Sequence, residues 1–146
     1  MPSLKEKLST PEKREAVIDD ACEVLDREVA EKSGLSGVAI KTAFKVVKGA
    51  KPGFVRQAVG DLLDSFLDAL DPLYQEALQQ GDAPGDHLRK NGARMAEALL
   101  AITDQRAERA KNAAVKKTYD KLRPTAHKHV EAAAPRIAGL LDRHAT

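Results

Sequence analysis

Histidine and cysteine are the side chains of this 146-residue sequence best suited to catalysis or metal binding. His127 and His129 are two residues apart, which on a helix places them on different faces, so they cannot bind one metal ion together. His127 shares a face with Glu131, but two ligands without a third do not make a metal site. Cys22 falls on the apolar side of a predicted helix, where a thiol usually only packs. We therefore predict no catalytic residue, metal ligand or cofactor.

Nucleotide-binding and serine-hydrolase motifs are also absent from the sequence. It contains no phosphate-binding P-loop, no dinucleotide-binding glycine motif and no Gly-x-Ser-x-Gly elbow. His87 and His144 lie near predicted helix ends, so we expect both at the surface. These observations favour a protein that is not an enzyme.

Two rows of opposite charge lie on consecutive predicted helices. The first row, opposite an apolar side that includes Ala39 and Val46, consists of Lys41, Lys45 and Lys48. The second row consists of Asp61, Asp64, Asp68 and Asp71. The carboxylates spread over nearly three turns, so they do not converge on one cation. The rows could pair with each other, within one protomer or between two, or could simply face solvent. Exposed pairs are worth only ~0.2–1 kcal/mol each, so they would set register more than stability.

A basic stripe is predicted on a helix over residues 104–123. It consists of Arg106, Arg109, Lys116, Lys117 and Lys121 on one arc, and the first four of these are the candidate interaction residues. Such a stripe could neutralise phosphates of a nucleic acid or another anionic surface. Glu108 and Asp120 on the same helix, and the lack of base-stacking side chains, favour a solvated face or an acidic protein partner instead.

The elements that position these residues are helices, because the composition is rich in Ala, Leu, Lys and Glu and contains no Trp. Net charge is divided unevenly: residues 1–86 carry −5 and residues 87–146 carry +7. No apolar segment reaches the ~20 residues of a membrane span, and the N-terminus has no signal-peptide pattern, so we expect a cytoplasmic protein.

Proline, glycine and capping residues predict the helix boundaries. Ser3 caps a short turn over residues 3–8, and Thr10 followed by Pro11 starts the first long helix. Glycines and prolines at 34, 52–53 and 81–85 separate later helices, with Asp86 as a cap. Breaks or bends are expected at three prolines: Pro72, Pro124 and Pro135. The prediction is an all-α protein: residues 1–146 form one compact bundle of five to seven amphipathic helices with short Gly/Pro connections.

Three linked segments carry a family resemblance: "KSGLSGVAIK", "KPGFVRQAVGDLLDSFLDALDPLY" and "LLAITDQRAERA" with "VKKTYDKLR". In these segments the chain resembles a family of small, uncharacterised bacterial proteins, a domain of unknown function. The resemblance covers nearly the whole chain and implies a single bacterial domain. It implies no activity, cofactor or site residue.

The function expected from the sequence is non-enzymatic: a helical interaction or scaffold protein that self-associates or binds a protein partner through charged faces. The alternative is binding of nucleic acid or an anionic surface through the helix at 104–123. A further alternative is a carrier that holds an apolar ligand inside the bundle, which would require an internal cavity.

Overall fold

Eight α-helices account for most of the chain that the computed structural model describes, residues 3–50 and 52–145. These ranges contain no β-strand, so the all-α prediction is confirmed, although there are more helices than the five to seven expected. The helices are α1 (Leu4–Lys7), α2 (Pro11–Glu31), α3 (Gly34–Ala50), α4 (Phe54–Gln80), α5 (Pro84–Lys90), α6 (Gly92–Glu108), α7 (Ala113–Ala132) and α8 (Ala134–His144).

Helix α4 is the central element and contacts α1, α2, α3, α5 and α6. Its 27 residues extend for about 40 Å. The sequence predicted a boundary or a kink at Pro72, and the boundary is wrong, because α4 continues through this residue. Leu70 and Leu73, on either side of Pro72, are buried in the same core. Burial of such side chains is worth roughly 1.5–3 kcal/mol each, enough to offset the ~3 kcal/mol that an interior proline costs.

Local caps start the first two helices as predicted. Ser3 accepts a hydrogen bond from a backbone N–H of α1, and Thr10 accepts one from a backbone N–H of α2. Helix α1 is anchored to the core by Leu4 at its start and by Leu8 directly after its end, since both side chains are fully buried. The N–H of Leu4 donates to Asp71 Oδ1 of α4 at 3.0 Å. One turn of helix is thereby fixed to the central element.

The second half of the chain breaks at other positions than the sequence indicated. Helix α5 starts at Pro84, so Asp86 lies inside its first turn and is not the cap. The helix predicted over 104–123 is interrupted between α6 and α7. The side chain of Asn112 accepts hydrogen bonds from the N–H groups of Ala114 and Val115 and so starts α7.

Two further proline predictions need correction. Helix α7 continues through Pro124, where the sequence indicated a new start. Pro135 does not bend a helix, because it lies in the first turn of α8, where its missing N–H costs no hydrogen bond. The chain therefore turns at Ala133 instead, between two separate helices.

The core lies around α4, and α3 and α7 lie at its edge. Helix α8 packs on α5 and α2, whereas α7 packs mainly on α6 and α3. No residue of α7 is fully buried. Within the described residues, no helix has the length and apolar character needed to cross a membrane.

Candidate functional site

The aspartate row of α4 is neutralised within the chain. Arg14 of α2 pairs with Asp64, and Lys5 Nζ lies 3.7 Å from Asp68 Oδ2. Arg106 Nη2 of α6 lies 3.4 Å from Asp61 Oδ2. The fourth carboxylate of the row is the acceptor for the N-terminus of α1. These carboxylates therefore hold α1, α2 and α6 against α4, and they do not pair with the lysine row.

The lysine row of α3 faces solvent. Lys48 Nζ lies 3.4 Å from Asp26 Oδ1 of α2 and 5.9 Å from the centre of the Phe44 ring. Lys41 and Lys45 are exposed and form no ion pair with any residue that the structure describes. Helix α3 itself contains no Asp or Glu. The row is thus a cationic edge with two unpaired charges.

An exposed apolar ridge runs beside these lysines. The apolar ridge consists of Leu35, Val38 and Val46, whose exposed fractions are 94%, 61% and 48%. Ala39 is also exposed, so the prediction that Ala39 and Val46 face the core is wrong. The buried side of α3 consists of Gly37, Ile40 and Ala43, with Phe44 and Val47 half-buried. Helix α3 therefore has three faces: one packed, one cationic and one apolar but exposed.

The lysines of α7 lie on the other side of the ridge. Ser36 of α3 contacts His129 of α7, with 3.2 Å between Ser36 Oγ and His129 Nε2. Tyr119 and Arg123 of α7 face α6. Helical spacing places an exposed row on the side of α7 away from α6 and next to α3. That row consists of Lys117, Lys121 and Lys128. Together with Lys41, Lys45 and Lys48 they form what we call the lysine rim.

The predicted basic stripe is not a continuous surface. Arg106 is on α6 and paired with Asp61, whereas Lys116 and Lys117 are on α7. Arg109 caps the C-terminal end of α6 in the connection between the two helices. Of the five residues of the predicted stripe, only Lys117 and Lys121 belong to the lysine rim. The prediction missed this break because the residues on both sides of Asn112 fit one continuous helix. Asn112 itself, a residue type that favours the N-cap position, was the available signal.

A compact network joins α6 to α7. Arg123 Nε donates to Asp104 Oδ1 at 2.8 Å, and Tyr119 also donates to this carboxylate. The Arg123 hydrogen bond keeps the pKa of Asp104 below its usual value. Burial, together with the bond to Asp104, raises the pKa of Tyr119 to about 12. The network fixes α7, and hence its lysines, in place.

Two histidines expected at the surface are not there. His87 is buried, and its Nε2 has no hydrogen-bond partner among the described residues, with Glu76 Oε1 at 3.5 Å. His144 is mostly buried and its Nε2 lies 2.8 Å from Asp20 Oδ2, which also accepts a hydrogen bond from Arg143. The Arg143 hydrogen bond lowers the pKa of Asp20. Both histidines therefore act at contacts between helices.

The Ser36–His129 pair is the arrangement closest to a catalytic one. A serine nucleophile needs a histidine base that a third group orients. In the described residues, no carboxylate is within hydrogen-bond distance of the His129 ring, and the charges that act on the ring are those of Lys32 and Lys128. Burial, with Lys32, lowers the pKa of His129. We interpret the pair as a hydrogen bond that ties α3 to α7.

No group of three or more His, Cys, Asp or Glu side chains in the described part of the chain is arranged to hold a metal ion. Burial raises the pKa of the Cys22 thiol, as expected for a packing role. His127 Nδ1 lies 3.6 Å from Glu131 Oε2, the pair that the spacing indicated.

Two grooves on the surface bear on the idea of an apolar carrier. One groove, of about 400 Å³, lies between α2 and α8 and is lined by Arg27, Arg136 and Arg143. Each of these arginines is paired with a carboxylate, so the groove is already neutralised. The second lies between α4 and α6 and includes Arg94 and Glu97. Both grooves are open to solvent and include charged side chains, although the second is also lined by Pro72 and Leu73, so neither is the enclosed apolar cavity that such a carrier would require.

Comparison with known proteins gives one match. Residues 4–145 match the family described as "Family of unknown function (DUF6918)". The chain belongs to this family. No curated protein and no solved structure matches the chain. The match supports an uncharacterised domain over nearly the whole sequence, and the assignment of a site in this DUF6918 member rests on its own geometry.

Proposed function

We propose that this protein is a non-enzymatic binding protein that holds an acidic partner on the solvent-facing side of α3. The observation that carries the proposal is the apolar ridge beside unpaired lysines. Leu35, Val38 and Val46 remain exposed in a chain whose other large apolar side chains are buried or half-buried in the described residues.

Charge supports the same surface. Elsewhere in the described residues, all arginines except Arg109 pair with carboxylates of the same chain. The cations without an ion pair include most of the lysine rim: Lys41, Lys45, Lys117, Lys121 and Lys128. An exposed apolar patch next to unpaired charge of one sign is typical of a surface that binds an oppositely charged partner.

Self-association through this surface is less well supported than binding of a different molecule. The aspartate row that would receive the lysines of a second copy already pairs with Lys5, Arg14 and Arg106. A two-fold contact through the ridge would bring lysine rims close together, and like charges repel. We therefore expect a monomer of 15.8 kDa by light scattering at both low and high salt.

Binding of an anionic apolar dye tests the proposal without assuming a partner. 8-Anilino-1-naphthalenesulfonate combines one negative charge with aromatic rings. We expect the folded protein to bind it, and the triple variant L35S/V38S/V46S to bind at least about tenfold more weakly because the apolar contacts are lost. The double variant K41E/K45E is expected to show a similar loss.

A matched control separates this surface from net charge. Lys13 and Lys90 are exposed lysines on α2 and α5. The variant K13E/K90E changes the net charge by the same amount as K41E/K45E and should bind the dye like the wild type. Equal dye affinity in all four proteins, or no binding to the folded wild type, would contradict the proposed function.

A further inference from the structure

We infer that the acidic partner is the anionic surface of a phospholipid bilayer, with the apolar ridge inserted between headgroups and the lysine rim on their phosphates. This inference rests on the proposed function and names the partner. It needs three properties of the surface: a narrow apolar strip, cations on both sides of it, and no carboxylate within the strip.

The ridge has the shape required. Leu35 and Val46 are eleven positions apart, so the ridge is about 16 Å long. It projects outward from the helix rather than forming a groove, and Leu35 at its end is almost fully exposed. A helix that lies in the plane of a membrane places such a strip at the boundary between headgroups and acyl chains.

The lysine rim supplies the charge. Lys41 and Lys45, with Lys48 paired to Asp26 beside them, lie on one side of the ridge, and the lysines of α7 lie on the other side. Each lysine near an anionic membrane surface adds about fivefold to affinity, and its long side chain reaches headgroup phosphates while the helix lies deeper. The acidic residues of α7, Asp120 and Glu131, follow Lys117 and Lys128 by three residues and so lie beside the lysine row, on its side away from α3 and the ridge.

Other acidic partners fit this surface less well. A nucleic acid would place phosphates against Leu35 and Val38, and the ridge offers no aromatic side chain on which a base could stack. An acidic protein would need a pocket that matches a ridge of one leucine and two valines. A bilayer accommodates such a strip without a preformed pocket.

Co-sedimentation with vesicles tests the inference. We expect the wild type to bind vesicles of phosphatidylcholine with 30 mol% phosphatidylserine, more weakly as salt rises, and not to bind phosphatidylcholine alone. K41E/K45E should bind at least about 100-fold more weakly, since two cations become two anions. K13E/K90E should stay within a few fold of the wild type. Equal losses in the two double variants would overturn the inference, because net charge alone would then explain binding.

Fluorescence tests insertion separately from adhesion. The chain contains no tryptophan, so one introduced residue is a clean reporter. Tryptophan in place of Leu35 should shift its emission to the blue with the anionic vesicles and be quenched by brominated acyl chains. Tryptophan in place of the exposed Ala93 on α6 should do neither. An unshifted L35W spectrum would overturn the inserted ridge.

The two proposals can fail separately. If the dye binds the ridge but the vesicles do not bind, the lipid inference is wrong and the binding surface stands, which points to an acidic protein. If neither the dye nor the vesicles respond to the ridge and lysine variants, both proposals are wrong.

Discussion

The region around α4 and the outer layer formed by α3 and α7 differ in how many of their apolar side chains are buried and how many of their charged side chains are paired. Around α4, leucines from four helices are buried together, and the aspartates of α4 are paired or hydrogen-bonded. In the outer layer, apolar side chains of α3 are exposed and lysines of both helices lack partners among the described residues.

This difference separates the part of the molecule that folds from the part that we propose binds. Leucines that are buried and charges that are paired within the core are not available to contact a partner. An outer helix with a packed face, a cationic face and an exposed apolar face keeps contacts available. Pairs of variants, one in each region, test this distinction.

The largest expected contrast is between two leucines. Leu67 on α4 is 3% exposed, whereas Leu35 on α3 is 94% exposed. Leu67→Ala should lower the free energy of unfolding by about 2–5 kcal/mol because it leaves a cavity. Leu35→Ala should change it by less than about 0.5 kcal/mol. Urea denaturation of both variants measures the contrast, and a comparable loss in Leu35→Ala would mean that the ridge is part of the core.

Two glycines give the next contrast. A Cβ added to Gly85 of α5 would lie 2.6 Å from Cγ of Asp142 on α8, whereas one added to Gly49 of α3 meets nothing within 4 Å. Gly85→Ala should cost about 1–3 kcal/mol, since packed atoms must shift. Gly49→Ala should stabilise by up to about 1 kcal/mol through helix propensity. Thermal unfolding distinguishes the two signs, and a stabilised Gly85→Ala would contradict tight packing of α5 on α8.

A smaller change in the free energy of unfolding is expected at Asp104, where α7 of the outer layer contacts α6. Asp104→Asn should lower stability by about 1 kcal/mol at pH 7, since the bonds from Arg123 and Tyr119 weaken at a half-exposed site. The pKa of Asp104 is lowered by folding. Ionised Asp104 therefore adds to the free energy of unfolding above about pH 4, which is the pKa of this carboxyl in the unfolded chain. This stabilisation is lost as the pH falls through the lower pKa of the folded protein. Urea denaturation from pH 7 to pH 2.5 should show the wild type and Asp104→Asn converging in acid. A constant difference would contradict the charged pair.

The smallest effect is expected at the contact between α3 and α7. Folding lowers the pKa of His129, so the unfolded chain binds more protons between the folded pKa and about 6.5. Lowering the pH from 7.5 to 5.5 should therefore decrease the stability of the wild type, and His129→Asn should lack this part of the decrease. His127→Asn, on the same helix, retains His129 and is the control. Unfolding curves at both pH values give the result, and identical pH dependence in wild type and His129→Asn would contradict burial of this ring.

Features that depend on neighbouring residues were predictable from the sequence. The caps at Ser3 and Thr10 and the breaks near Gly53 and Gly81 follow from side-chain hydrogen bonds and from backbone angles that favour glycine. Features decided by distant contacts were not. Pro72 and Pro124 do not end their helices, because contacts with other helices hold both segments: α4 is packed in the core, and α7 is hydrogen-bonded to Asp104 of α6 through Tyr119 and Arg123.

The candidate site was predicted in part. The spacing indicated that Lys41, Lys45 and Lys48 share an exposed face, whereas the pairing with the aspartates that it left open does not occur within the chain, because Lys5, Arg14 and Arg106 pair with the aspartates. The ridge was missed, because an apolar side chain on a helix is normally read as core. Only the positions of α2, α4 and α7 around α3 show which of its apolar residues remain exposed.

A chemical-shift map would locate the binding surface residue by residue. The ¹⁵N-labelled protein would be titrated with 8-anilino-1-naphthalenesulfonate, and the shift of each backbone amide followed. We expect the backbone amides of residues 35–49 of α3 and 117–128 of α7 to shift most. The amides of α4, α5 and α8 should not shift. Shifts centred on the arginine groove between α2 and α8, or spread around α4, would contradict this expectation.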